Sequence, residues 1–150
     1  MATRHQARTA VVGLLYAYDL GNENISKFSD IILEEDKIRN KQREFSHRLF
    51  KGTIDNLLTI DSEVQKHLNG WNYSSIGKVE KAIMRLATFE IMIDGIDKRI
   101  IINEAIELAK ALADDKSPRF INAVLDAIGK DESAKIEKPE EVAVPQEKPE

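Results

Sequence analysis

The chain has no cysteine among its 150 residues. That excludes a disulfide framework and thiolate-bound metal, and it suits the cytoplasm. Nowhere do about 18 apolar residues run together, so no membrane-spanning helix is expected. No secretory leader is expected either, because the N-terminus holds Arg4 and Arg8 but no uninterrupted apolar stretch. His5, His47 and His67 stand far apart, without the spacing of a metal site. There is no glycine-rich phosphate loop. Proline is scarce outside one region: Pro139, Pro145 and Pro149 make up three of the four. Extended β-forming segments are equally scarce, since Ile100-Ile101-Ile102 is short, isolated and leads into a helical pattern. These absences leave an all-α protein with no cofactor, no metal and no catalytic constellation expected.

What is present divides at residue 130. Beyond it, seven acids face three bases; up to it, 19 acids balance 19 bases, so the formal charge of −4 belongs to the tail. Residues 131–150 are rich in Glu, Lys and Pro, carry almost nothing that could pack, and are expected to be a disordered acidic extension. Residues 1–130 are expected to form one helical domain, or two tightly packed helical subdomains.

Thr3 with Gln6 three positions on makes a capping box, and Ala7, Ala10, Val11, Leu14, Leu15 and Tyr18 continue as one apolar stripe to Gly21-Asn22. A short helix is expected from about Ser26 to Glu35. A long one follows from Lys41 to Asn69-Gly70, with Gly52 inside it marking close approach by another helix. Ser74 or Ser75 is expected to cap the next. There Val79, Ala82, Ile83, Leu86, Phe89 and Ile93 are joined by Met84, Ala87, Ile91 and Met92, so it should lie between other helices. From Ile101 to Lys130 the pattern is two amphipathic helices joined by Asp114-Asp115-Lys116, the second starting at Ser117-Pro118 and stopping at Gly129.

Two places could carry chemistry. Residues 1–18 include Arg4, His5 and Arg8 but no acid. Arg4 and Arg8 are four apart and expected to share a face off the apolar stripe, with Val12 and Tyr16 trailing along it. A basic ridge ending in an aromatic suits single-stranded RNA, although two arginines equally fit an ordinary solvated helix. Phe120 lies off the Ile121/Val124 face at a helix start, beside Lys116, Arg119 and Asn122. An aromatic among cations and an amide can stack a base while phosphates meet the helix end. The plainer reading packs Phe120 under the preceding loop. Lys78, Lys81 and Arg85 flank Glu80, a first-turn acid of the kind the helix dipole favours. Glu104 and Glu107 are read in the same way, as dipole partners rather than a catalytic pair.

"INEAIELAK" followed by "KSPRFINAVLD" resembles the C-terminal signature of the NusB family of bacterial transcription antitermination factors. "ARTAVVGLLYAYDL", "FKGTIDNLLTID" with Trp71 beyond it, and "VEKAIMRLATFE" resemble the family's other helices in order, across residues 4–129. The resemblance implies a compact bundle of about six or seven helices and a non-enzymatic adaptor. With NusE, a small-subunit ribosomal protein, it would bind boxA RNA in nascent rRNA leaders within an RNA polymerase antitermination complex. It places Arg4, Arg8, Tyr16, Lys116, Arg119, Phe120 and Asn122 toward RNA, and Glu80, Lys81 and Arg85 toward NusE. NusB-like proteins occur as monomers and as homodimers. A related family of RNA cytosine methyltransferases adds a large cofactor domain after a NusB-like one, and the acidic composition of residues 131–150 leads to no such domain being expected here. Where the family usually has glycine, this chain has Ala123. The reading from a different class is a purely protein–protein helical scaffold, which would show no dependence on RNA sequence.

Overall fold

A computed structural model describes residues 2–22 and 24–129; the expected acidic tail lies outside them. Among the described residues there are seven α-helices and no strand. α1 spans Arg4–Asp19, α2 Ile25–Glu35, α3 Lys41–Asp55, α4 Leu57–Gln65, α5 Lys78–Thr88, α6 Lys98–Leu112 and α7 Ser117–Ala127. The all-α expectation holds, and no described helix is long and apolar enough to cross a membrane.

Helix α1 begins as its capping box dictates. Thr3 Oγ1 accepts from the Gln6 N–H at 3.0 Å, and Gln6 Oε1 accepts from the Thr3 N–H at 2.8 Å. It ends in a Schellman turn: the Asn22 N–H donates to the Ala17 carbonyl and the Gly21 N–H to that of Tyr18, with Gly21 at φ 103°.

The long helix expected from Lys41 to Asn69 is two helices instead. The Asn56 side chain donates to the Gly52 carbonyl at 2.7 Å, the acceptor its own backbone N–H would use in an unbroken helix. That N–H turns to the Thr53 carbonyl, and the Thr53 hydroxyl donates back to Leu49. Such side-chain bonds bend helices, and the chain breaks at Asn56 between α3 and α4. The apolar stripe expected along it, Phe45, Leu49, Thr53, Leu57, Ile60, Val64 and Leu68, survives the break: all are buried except Leu57, which is half-buried beside it.

Helix α5 is the axis of the fold. Every residue from Lys81 to Glu90 is buried, and α1, α3, α4, α6 and α7 pack around it. Its start differs from expectation: Ser74 and Ser75 form a short 3₁₀ turn, Tyr73–Ser75, and Gly77 is the N-cap without a side-chain bond. Its end widens into a π turn, Phe89–Ile93. Gly52 serves the purpose expected of it, since a Cβ there would overlap the Phe89 ring. Helices α6 and α7 form a hairpin, and Ile101 is buried inside α6 rather than in a strand. Ser117 is the first residue of α7 and Pro118 the second. Asp114 serves the end of that helix, its Oδ1 accepting from the Lys116 and Ser117 N–H groups at 3.0 and 3.2 Å.

Candidate nucleic-acid interface

The two ends of α5 carry different constellations. At its C-terminal end, the buried Arg8 guanidinium donates from Nε and Nη2 to the two oxygens of Glu90, both at 2.8 Å, and Glu104 lies 3.8 Å away. Burial alone would lower the guanidinium's affinity for its proton. The hydrogen bond and charge of Glu90 outweigh that, so its pKa stands above the ordinary value. Arg8 therefore does not stand on a solvent-facing ridge beside Arg4, and Val12, expected beside them, is also buried. The physical reason is Glu90, an isolated acid inside an apolar helix, which needs a buried cation. Arg4 does face solvent. Its guanidinium lies 4.1 Å from the centroid of the buried Phe45 ring, which Arg8 and Arg48 also approach at 5.2 and 5.6 Å. His5 Nδ1 meets Glu104 at 3.0 Å.

At the other end, α1 finishes beside the start of α5. Asp19 accepts from Lys78 Nζ at 3.1 Å and from Arg85 Nη1 at 3.3 Å. Burial would raise the Asp19 pKa, but the Lys78 hydrogen bond and the neighbouring cations hold it below the usual range. Arg85 also forks onto Asp61 of α4, at 2.9 and 2.8 Å, and Tyr73 donates its hydroxyl to Asp61 at 2.6 Å. The Arg85 pKa is raised despite burial, chiefly by its bond to Asp61. The Tyr73 phenol is pushed up by burial and by that same carboxylate. Lys81 Nζ lies 4.7 Å from the Tyr73 centroid. Lys81 and Arg85, expected on an exposed partner face, are thus buried and engaged within the fold. Their partners, Asp61 and Tyr73, sit on segments distant in sequence, so helical spacing on α5 gave no sign of them.

Around this network lie the remaining expected residues. Tyr16, 38% exposed, stands one turn before Asp19. Glu80 accepts a short hydrogen bond from the Ser117 hydroxyl at the start of α7. One turn on, the half-buried Phe120 meets Trp71 edge to face, with centroids 6.0 Å apart and an interplanar angle of 63°. Trp71 is 63% exposed, and Lys116, Arg119 and Asn122 face solvent alongside on α7. Phe120 is neither free nor core: it packs partly against the buried cluster and partly against Trp71. Ala123 is exposed, so its methyl group costs no packing. Glu80 and Glu90 are ten residues apart, about 15 Å along a helix. The structure joins the α7 group, Lys116, Arg119, Phe120 and Asn122, to Glu80 through Ser117; Tyr16 lies on α1, one turn before the Asp19 that pairs with Lys78 and Arg85, and Arg4 and Arg8 stand at the start of α1.

Residues 5–130 match the NusB family. The chain belongs to the NusB family. A transcription antitermination protein NusB from Sulfurovum sp. (strain NBC37-1) is 74% identical over 130 residues, which span 87% of this chain and all of the relative. Another, from a Nitratiruptor species, is 60% identical over 131 residues, 87% of this chain and 94% of that protein. Among solved structures, T. maritima NusB superimposes with a TM-score of 0.79 at 30% identity, covering 87% of this chain and 92% of that one. A NusB crystallised with NusE and double-stranded RNA superimposes at 0.75 with 31% identity, covering 85% of this chain and 96% of its own. The NusB resemblance read from residues 4–129 thus holds over nearly the same span.

Trp71 and Ser117 escaped the sequence reading as site residues, although an exposed-loop tryptophan and a Ser-Pro helix start were both visible. No group of three metal-ligating side chains occurs among the described residues.

Proposed function

We propose that this chain is a non-enzymatic, cytoplasmic RNA-binding adaptor. With NusE it binds boxA in nascent rRNA leader transcripts and, in the RNA polymerase antitermination complex, promotes transcription antitermination. Its action is recruitment, with no bond made or broken. The observation that carries the reading is the likeness to the NusB crystallised with NusE and double-stranded RNA, joined to an aromatic pair, the exposed Trp71 and the half-buried Phe120, among cations. Bases stack on such rings because every base has a π face, while the sugar–phosphate backbone meets the cations. In this reading Phe120 and Tyr16 stack bases, Lys116, Arg119 and the remote Arg4 contact phosphates, and Asn122 offers hydrogen bonds to base edges. Arg8 acts by holding α1 on α5. Glu80 marks the face toward NusE, and Lys81 and Arg85 give that face its shape from beneath.

A neutral helical body has little long-range attraction for RNA, whereas a basic ribosomal protein would supply further phosphate contacts. RNA held by one half of a joint site is already near the other half. The pair should therefore bind boxA at least tenfold more tightly than this chain alone, about 1.4 kcal/mol. By linkage, RNA should tighten the protein pair equally. Titrations of boxA and scrambled RNA, with and without NusE at matched salt, test it. Equal binding of both RNAs, unchanged by NusE, would overturn the reading and favour a protein–protein scaffold.

A further inference from the structure

We propose that Glu80 is a positioning residue for the RNA-facing aromatic pair: through Ser117 it sets the first turn of α7 and so holds Phe120 against Trp71. The inference rests on the reading of Phe120 as an RNA contact.

Ser117 has one hydroxyl proton and two carboxylates within reach, Glu80 Oε2 and Asp114 Oδ1, the latter at 3.1 Å. Asp114 already accepts two backbone N–H bonds from Lys116 and Ser117. Glu80 has no such supply and lies closer, so the proton goes to Glu80. The bond is part-buried, with Ser117 only 5% exposed, and a hydrogen bond to a charged acceptor is among the stronger kinds. Ser117 and Phe120 are three positions apart in α7 and share a face. Fixing Ser117 against α5 therefore fixes how the first turn of α7 is rotated, and with it the direction of the Phe120 ring.

The start of α5 is shaped for this contact. Gly77, the N-cap, has ordinary backbone angles, so no left-handed conformation demands glycine there. What lies against it is the end of the Glu80 side chain: a Cβ on Gly77 would overlap Glu80 Oε1, and the carboxylate would have to shift. The glycine leaves the space in which the carboxylate lies on its way to Ser117. The face proposed to meet NusE and the aromatics proposed to meet RNA are thus joined by one hydrogen bond.

Three variants and one control test this, using the whole chain. Trp71 is the only tryptophan, so its emission reports the Phe120 contact directly. Glu80→Ala should shift that emission and weaken boxA binding by the chain alone about tenfold, within the range that loss of base stacking produces. Glu80→Gln keeps an acceptor without the charge and should recover the emission and most of the affinity. Gly77→Ala should push the carboxylate off Ser117 and reproduce the Glu80→Ala emission shift, with helix content kept. It also serves should Glu80→Ala fail to fold. Unchanged emission in both alanine variants would overturn the proposal, as would a Glu80→Gln variant no better than Glu80→Ala. The control, Phe120→Ala, separates the two claims. If it leaves RNA binding intact, the reading of Phe120 fails, while the emission data still decide whether Glu80 positions the ring.

Discussion

Replacing Arg8 with alanine should cost this fold more than any other single change to a charged side chain on α1. The guanidinium makes two 2.8 Å hydrogen bonds to Glu90, and the two side chains keep 9% and 2% of their accessible surface. Truncation leaves the Glu90 carboxylate buried without its partner, with Glu104 a like charge nearby. Removing one member of a buried pair typically costs about 3–5 kcal/mol, and loss of the arginine stem beside Phe45 adds to that. For a domain of this size each kcal/mol lowers Tm by about 3–5 °C, so a fall of roughly 10–20 °C is expected. Arg4→Ala is the matched control. That cation is exposed and rests on the same ring, and its loss should cost only about 0.5–1 kcal/mol. Denaturant melts followed by circular dichroism compare the two. The paired change Arg8→Met with Glu90→Leu removes both charges together and should restore most of the loss, because an apolar pair of similar volume is often neutral or stabilising. If Arg8→Ala proves as mild as Arg4→Ala, the clamp does not hold α1 to α5.

Further outcomes can be checked separately. Arg4→Ala should weaken binding to all RNA sequences alike and reduce the log–log salt slope by about 0.7, the share of one single-strand phosphate contact; an unchanged slope would remove Arg4 from the interface. Tyr73 has a pKa raised above its ordinary 10.0, so the fold favours its neutral form. Its contribution is complete below about pH 10 and is lost as pH rises further, because the unfolded chain ionises first. Tyr73→Phe should therefore leave the tyrosinate absorbance of the folded protein unchanged up to the alkaline unfolding transition, and a missing tyrosinate signal near pH 10 would refute the burial of that phenol. Gly52→Ala, usually stabilising inside a helix, should here cost about 1–3 kcal/mol by forcing Phe89 aside. A rise in melting temperature would mean that the two helices do not approach as closely as described.

Local signals carried most of the secondary structure. Thr3 and Gln6 announce α1, Gly21 ends it, and the Ile121/Val124/Leu125/Ile128 stripe gives α7, because caps and periodicity act within a few residues. The break at Asn56 was hidden because its cause is a side chain competing with the backbone, which hydrophobic spacing does not register. Arg8 was misplaced for a longer-range reason. Its partner is 82 residues away, and a helical wheel of α1 alone cannot distinguish a buried cation from a solvated one. Glu90 was the available clue, an acid amid Phe89, Ile91 and Met92. Lys81 and Arg85 were misplaced likewise, since Asp61 and Tyr73 lie on other elements. Type and spacing single out the residues around Phe120 as candidates, but their union with Glu80 and Trp71 depends on how α5, α7 and the loop after α4 meet.

The two arginine clamps have a consequence for the central helix itself. Apolar burial has no preferred direction, and α5 is surrounded almost wholly by aliphatic side chains. Sliding it by one turn, about 5.4 Å, would exchange one set of greasy neighbours for another. Arg8 on Glu90, just past the last turn, and Arg85, five residues earlier, on Asp61 and Asp19 tolerate no such exchange, because each misplaced charge would be buried alone. Fixing register is the best attested use of buried ionic groups. The charges inside this bundle act as two dowels set through a smooth rod toward different neighbours, and they make its alignment unique where grease alone would leave it free to slip.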